Sequence, residues 1–350
     1  MRVWLLLACA AAMSVSACAQ WDIQDSGTAE SLRGISSAGA GIAWASGTHG
    51  TVRRTEDGGY LWQRCAVPPG AEELDFRGVV GFDANTAVVM SSGKGVLSRL
   101  YKTTDGCANW KLLYTNPDAE GFWDAISAAD EKSLILLGDP VDGRFVVRAS
   151  ADGGDTWTPE RVDASLDKEG AFAASNSSLV VGWAEDFAFF GSGSPGGARL
   201  FADCDTCDGK DKGWTARAMP MFAKGESAGI FSIAYGEPNR LVAVGGDYQK
   251  PDVAQGTAAW SGDGGKSWHA AKVPPHGYRS SVAYDAKGRV WIAVGPGGTD
   301  VSRDGGVTWR SAKPLPGEPA DADKNWNAIA LPFVVGPKGR VGTWVSAPQR

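Results

Sequence analysis

The chain has 350 residues, 43% of them hydrophobic and 21% charged, with a net charge of −6. Acidic and basic residues are interspersed, so there is no electrostatic footprint for nucleic acid. Beyond the first residues no apolar run reaches the length of a membrane-spanning helix.

Met1-Arg2 forms a minimal basic start, and Val3 to Ala12 is an apolar segment of signal-peptide length. Two processing signals overlap after it. Ala17-Cys-Ala19 before Gln20 fits ordinary signal cleavage, while Val15-Ser-Ala-Cys18 fits a bacterial lipobox in which Cys18 is acylated. Either route exports the protein. Residues 1–19 are therefore expected to be a signal and residues 20–350 the folded part, periplasmic or envelope-associated, touching the membrane only through an anchor at Cys18.

Four cysteines remain, Cys65, Cys107, Cys204 and Cys207, an even number in a disulfide-permissive compartment. Three pairings are open. Cys65–Cys107 is favoured, with Cys204–Cys207 as a local clip. Zinc lacks a second close Cys/His pair, and a redox Cys-x-x-Cys would need a helix N-terminus that the sequence does not offer.

The segments Ser150-Ala-Asp152-Gly-Gly-Asp-Thr-Trp157, Ser261-Gly-Asp263-Gly-Gly-Lys-Ser-Trp268 and Ser302-Arg-Asp304-Gly-Gly-Val-Thr-Trp309 share one plan. Thr55-Glu-Asp57-Gly-Gly-Tyr-Leu-Trp62 and Thr103-Thr-Asp105-Gly-Cys-Ala-Asn-Trp110 are worn copies, and an eroded sixth lies near Asp203 and Trp214. The carboxylate and hydroxyls can bond the backbone of their own turn. Gly supplies positive φ, and Trp buries a large ring. These residues are accordingly turn-makers rather than ligands.

Recurrence every 40 to 60 residues or so marks a repeat architecture. Between the motifs run short β-rich segments such as Phe76–Phe82, Thr86–Met90, Arg99–Thr103 and Trp110–Tyr114, four to a unit, and no amphipathic helix follows the signal. The expectation is an all-β fold, a single seven-bladed β-propeller. Its seventh blade would combine the C-terminal Trp326-to-Val345 segment with Trp21-to-Gly27 and so close the ring.

The Ser-x-Asp-x-Gly-x-Thr/Ser-Trp copies resemble the Asp-box, or bacterial neuraminidase repeat. The whole mature chain, opening on Trp21 with Leu32-Arg-Gly-Ile as its first inner strand, is similar to the photosystem II stability and assembly factor family and its relatives in non-photosynthetic bacteria. That resemblance implies an exported, monomeric binding or assembly scaffold without cofactor or metal. It also implies that the Asp-box turns join third to fourth strands, on the face away from the ligand.

Ligands of such propellers meet the mouth of the central channel, at the loops entering each first strand. Aligning those strands brings Arg33, Arg77, Asp124, Ala173, Ser232, Arg279 and Asn327 to the mouth. Arginine forks suit carboxylate or phosphate; alternatively these arginines pair with carboxylates to tie blades together. Second-to-third-strand loops contribute His49, Lys94, Asp139, Asp142 and Asp247 to Lys250. Phe122 and Trp123 offer an aromatic platform or interblade packing.

Other motifs fail on context. Gly191-Ser-Gly193-Ser-Pro-Gly196 matches a dinucleotide fingerprint without a strand-to-helix unit, and Gly264-Gly-Lys-Ser267 is the middle of a turn motif. Asp203, Asp205 and Asp208 depart from the calcium-loop spacing. With only three histidines a serine hydrolase has no support. The expected function is a non-catalytic scaffold that binds a protein partner in the cell envelope through the mouth. The competing class is a sialidase- or glucanase-like glycoside hydrolase using mouth arginines with Asp124, Asp139 or Asp142.

Overall fold

The computed structural model describes residues 20–182, 187–204, 213–314 and 318–345. Seven four-stranded antiparallel sheets form seven blades. Their innermost strands are Leu32–Gly39, Phe76–Gly81, Trp123–Ala128, Leu179–Val181, Ala228–Tyr235, Ser281–Asp285 and Ala328–Ala330. Among the described residues the only helical element is a single 3₁₀ turn, Gly95–Leu97. No helix there is long and apolar enough to cross a membrane.

Middle strands are apolar on both faces because each blade is sandwiched between two neighbours. Ala87–Ser91 and Leu241–Asp247 are buried throughout, as is Val290–Gly295. Outer strands such as His269–Ala270 and Arg310–Ser311 are short and exposed, which limits the free edge each blade presents.

The ring closes as the sequence predicts. Gln20–Asp25 is the outermost strand of the last blade and pairs with Arg340–Val345, Trp21 opposite Trp344. Trp21 packs edge-on against Trp344, with centroids 5.0 Å apart, and lies 5.8 Å from Trp326. Its indole N–H donates to Thr299 Oγ1 of the sixth blade at 2.9 Å.

The recurring turns each join a third strand to a fourth, and Ser150-to-Trp157 shows how one saturates itself. The Ser150 hydroxyl accepts the Gly154 N–H and donates to Asp152 Oδ1, both at 2.9 Å. Asp152 also accepts the Thr156 N–H and hydroxyl, and the Trp157 indole donates to the Gly154 carbonyl. The Asp263 and Asp304 turns repeat this set, and the Asp57 and Asp105 turns keep its core. The Asp203 copy differs. Asp203 stands within the strand Arg199–Cys204, opposite Trp214, so it is not a turn aspartate.

The Thr156 hydroxyl and N–H and the Ser150 hydroxyl hold Asp152 down at about 2. At Asp263 burial pushes upward, but the Ser267 hydroxyl and N–H with the Ser261 hydroxyl outweigh it, again giving about 2. Both folded values lie below the unfolded carboxylate, so the stabilisation is complete above about pH 4 and is lost as pH falls toward 2. The contribution of these turns should hold level from pH 7 to 5 and fall away below pH 4, so the melting temperature should drop between pH 4 and 2. A level melting temperature down to pH 2 would contradict these turn bonds.

Cys65 and Cys107 form the favoured disulfide, joining the end of the first blade's outer strand to the second blade's turn. Cys107 takes the place of the second turn glycine and shares its left-handed backbone, φ 65° against 94° at Gly154. The Cys204–Cys207 clip and the Asp205/Asp208 cluster fall outside the described residues. Among the described residues no group of three or more His, Cys, Asp or Glu side chains is arranged to hold a metal ion.

Candidate functional site: the channel mouth

A cavity of about 680 Å³ opens where the chain enters the first strands. In the five blades that carry it, the recurring turn follows three strands from this mouth, so these turns lie on the opposite face. Arg33, Arg77, Asp124, Ala173 and Asn327 line the cavity, as the strand alignment predicts.

Arg279 and Ser232 do not. In the first, second, third and fifth blades the inner strand carries a bulge at its start, at residues 33, 77, 124 and 231. Phe231, not Ser232, is therefore the fifth blade's counterpart of Arg33 and lines the cavity, and Ser232 sits one step deeper. In the sixth blade Ser280 takes the mouth position, its N–H bonding Val294. Arg279 takes the position of Leu32 and is fully buried. Its guanidinium is paired with Asp300 and donates to the Tyr278 carbonyl at 2.7 Å, with His276 beside it. It is a brace within the sixth blade, and its loss would strand a buried carboxylate.

The mouth divides into three sectors. The first and second blades make a basic one. Arg77 Nε donates to Asp75 Oδ2 at 2.8 Å, Arg33 reaches the same oxygen at 3.4 Å, and Arg77 also donates to the Ala173 carbonyl. Two guanidiniums share one carboxylate and both stay part-exposed, so tying blades together and presenting positive charge coexist here. Asn327 next to them donates to the Leu32 carbonyl at 2.7 Å, linking the last blade to the first.

The third blade makes an acidic sector. Asp124 is 1% exposed, and its Oδ2 has no hydrogen-bond partner. Burial, then the neighbouring Asp139, push its carboxyl well above the usual range, against the pull of Arg77. Asp139 is raised by burial to about 6 while accepting the Ala171 N–H at 3.0 Å. Asp142 is apart from them, on the exposed turn after Leu134–Val141. At the rim Lys94 pairs with Glu120.

Blades four to six make an aromatic sector. Phe172 stacks on Phe231 at 3.8 Å, and Tyr278 meets Phe231 edge-on at 4.8 Å. Tyr248, about half exposed, stands at the rim. Phe122 lines the cavity, whereas Trp123 is buried and stacked on Tyr114. Of the other loop residues, His49 is spent on Glu30, and Asp247 is held by Ser227 and Lys250.

Below the mouth the channel is crossed by residues 171–177, the entry to the fourth blade. Asn176 accepts the Ile126 N–H at 2.8 Å and donates to the Ile126 and Val79 carbonyls. Ser175 donates to the Ser280 carbonyl, and the Ser177 hydroxyl meets those of Ser232 and Ser281. One segment thus contacts blades two, three, five and six and floors the cavity. Gly78 admits it, since a Cβ there would lie 2.7 Å from Asn176 Oδ1. Nothing in the small, polar run Ala-Phe-Ala-Ala-Ser-Asn-Ser signals this role.

No protein-family model matches the chain. Two curated relatives do, both called photosystem II assembly lipoprotein Ycf48. That of Synechococcus sp. CC9902 is 25% identical over 85% of this chain and 80% of its own length. That of Picosynechococcus sp. PCC 7002 is 29% identical over 70% and 76%. Among solved structures, YCF48 bound to D1 peptide aligns over 93% of this chain and 97% of its own, with a TM-score of 0.63 and 16% identity. The chain is a seven-bladed β-propeller that resembles the photosystem II assembly factors.

Proposed function

We propose that this protein is an exported, non-catalytic propeller that binds a segment of a protein partner in the cell envelope at its channel mouth. The carrying observation is the floored cavity with Arg33 and Arg77 part-exposed on one wall. The two guanidiniums hold one carboxylate between them and retain net charge for an acidic group of the ligand. A similar propeller bound to D1 peptide supports a peptide as the kind of ligand. The relatives' description as lipoproteins supports export with an anchor at Cys18. A monomer suffices, because one ring completes the cavity.

Replacing both arginines by alanine is expected to weaken partner capture from envelope extract by about 30-fold or more, as for a binding hot spot. The melting temperature should move little, since both side chains are part-exposed. Arg279 stays untouched in this experiment because it is a structural brace. Undiminished capture by the double variant would refute the assignment.

A glycosidase needs two carboxyls flanking one bond. Asp124 and Asp139 stand on adjacent strands of one blade, with Asp124 sealed from solvent, an arrangement that favours binding over hydrolysis. Chromogenic sialyl and glucan substrates should not be turned over; turnover lost in Asp124→Asn would reverse this conclusion.

A further inference from the structure

We infer that the acidic sector is a subsite for a basic side chain, so the ligand is a peptide carrying Lys or Arg close to an acidic group. The inference rests on the mouth being a peptide site and specifies what that peptide must contain.

Asp124 and Asp139 face a cavity in which, among the described residues, no cation forms an ion pair with either. Arg77 lies near enough to pull on Asp124, yet its ion pair is with Asp75. Asp124 lines this corner, and its Oδ2 is covered and has no hydrogen-bond partner. A buried acceptor in that condition is costly unless a ligand satisfies it. Burial pushes both carboxyls upward, and an arriving cation would favour their charged forms.

A peptide cation fits better than a metal. Two carboxyls are too few for a calcium site, and covered Asp124 leaves no room for the waters that magnesium keeps; no third His, Cys, Asp or Glu joins them among the described residues. Phe172 adjoins Asp139 on the cavity wall. Its ring gives the aliphatic stem of Lys or Arg an apolar surface while the charged head reaches the carboxyls. The basic sector lies one blade away, so one short segment can place an acidic group on Arg33 and Arg77 and a basic one on Asp139.

The test uses the purified mature protein and fluorescein-labelled nonapeptides with a central Glu, in which the flanking positions carry Lys, Arg, Ala or Glu in turn. Fluorescence anisotropy should show Lys or Arg peptides binding about tenfold more tightly than their Ala counterparts at one or two flanking positions. Asp139→Asn should erase that preference while retaining affinity for the Ala peptide, and Asp124→Asn should reduce it. Near-ultraviolet circular dichroism establishes that each variant is folded, and Asp139→Asn alone decides if Asp124→Asn is not. A preference that survives Asp139→Asn, or none in the wild type, overturns the inference. If Arg33→Ala/Arg77→Ala abolishes binding while Asp139→Asn changes nothing, the mouth stands as the binding face and only the basic subsite falls. Absence of binding by every peptide removes both.

Discussion

Trp21→Ala should destabilise the protein by about 3–5 kcal/mol, the cost of emptying a large aromatic site in a core. The indole is 2% exposed, so nearly all of its surface is involved. It contacts Trp326 and Trp344 of its own blade and donates a hydrogen bond to Thr299 of the blade before. The truncation therefore leaves a cavity and the Thr299 hydroxyl without its donor. The position adds to the effect, because this strand is the latch between chain ends 319 residues apart at Gln24 and Thr343. Trp21→Phe restores most of the volume without the N–H and should recover about half or more of the loss. Denaturant melts of the three proteins check this. A Trp21→Ala protein within 1 kcal/mol or so of wild type would mean that the latch does not hold the ring.

Removing the Cys65–Cys107 disulfide should cost about 4 kcal/mol, from the loop entropy of a cross-link spanning 42 residues. The choice of replacement separates two effects. Cys107 holds a left-handed backbone at φ 65°, which suits glycine. Cys65→Ser/Cys107→Gly should therefore be about 1 kcal/mol more stable than Cys65→Ser/Cys107→Ser, although both lack the bond. Denaturation midpoints under identical conditions give the difference. Equal stability of the Cys65→Ser/Cys107→Ser variant and wild type would show that the disulfide adds nothing.

The architecture was legible because the signal repeats. Five turn motifs locate five blade ends, and a left-over strand at each terminus has one partner that completes a ring. The mouth was legible only where strands are regular. Arg33, Arg77 and Asp124 occupy bulges that recur at the same place, so alignment by pattern finds them. At Ser232 and Arg279 the pattern slips by one residue. A one-residue slip exchanges cavity for core, and it turned a buried brace into a supposed ligand contact. Burial of a paired Arg leaves no mark in sequence because Asp300, its partner, lies 21 residues away. Residues 171–177 escaped notice for a different reason. Their contacts are with four other blades, and polarity alone cannot distinguish a channel floor from a surface loop.

The binding face can be read directly by photo-crosslinking in the envelope. p-Benzoylphenylalanine is placed at Tyr248, half exposed at the mouth, or at Tyr60, 92% exposed in a turn on the opposite face. The mouth assignment predicts a discrete crosslinked partner from position 248, absent in the Arg33→Ala/Arg77→Ala background, and none from position 60. A partner crosslinked from position 60 and not from 248 would contradict it.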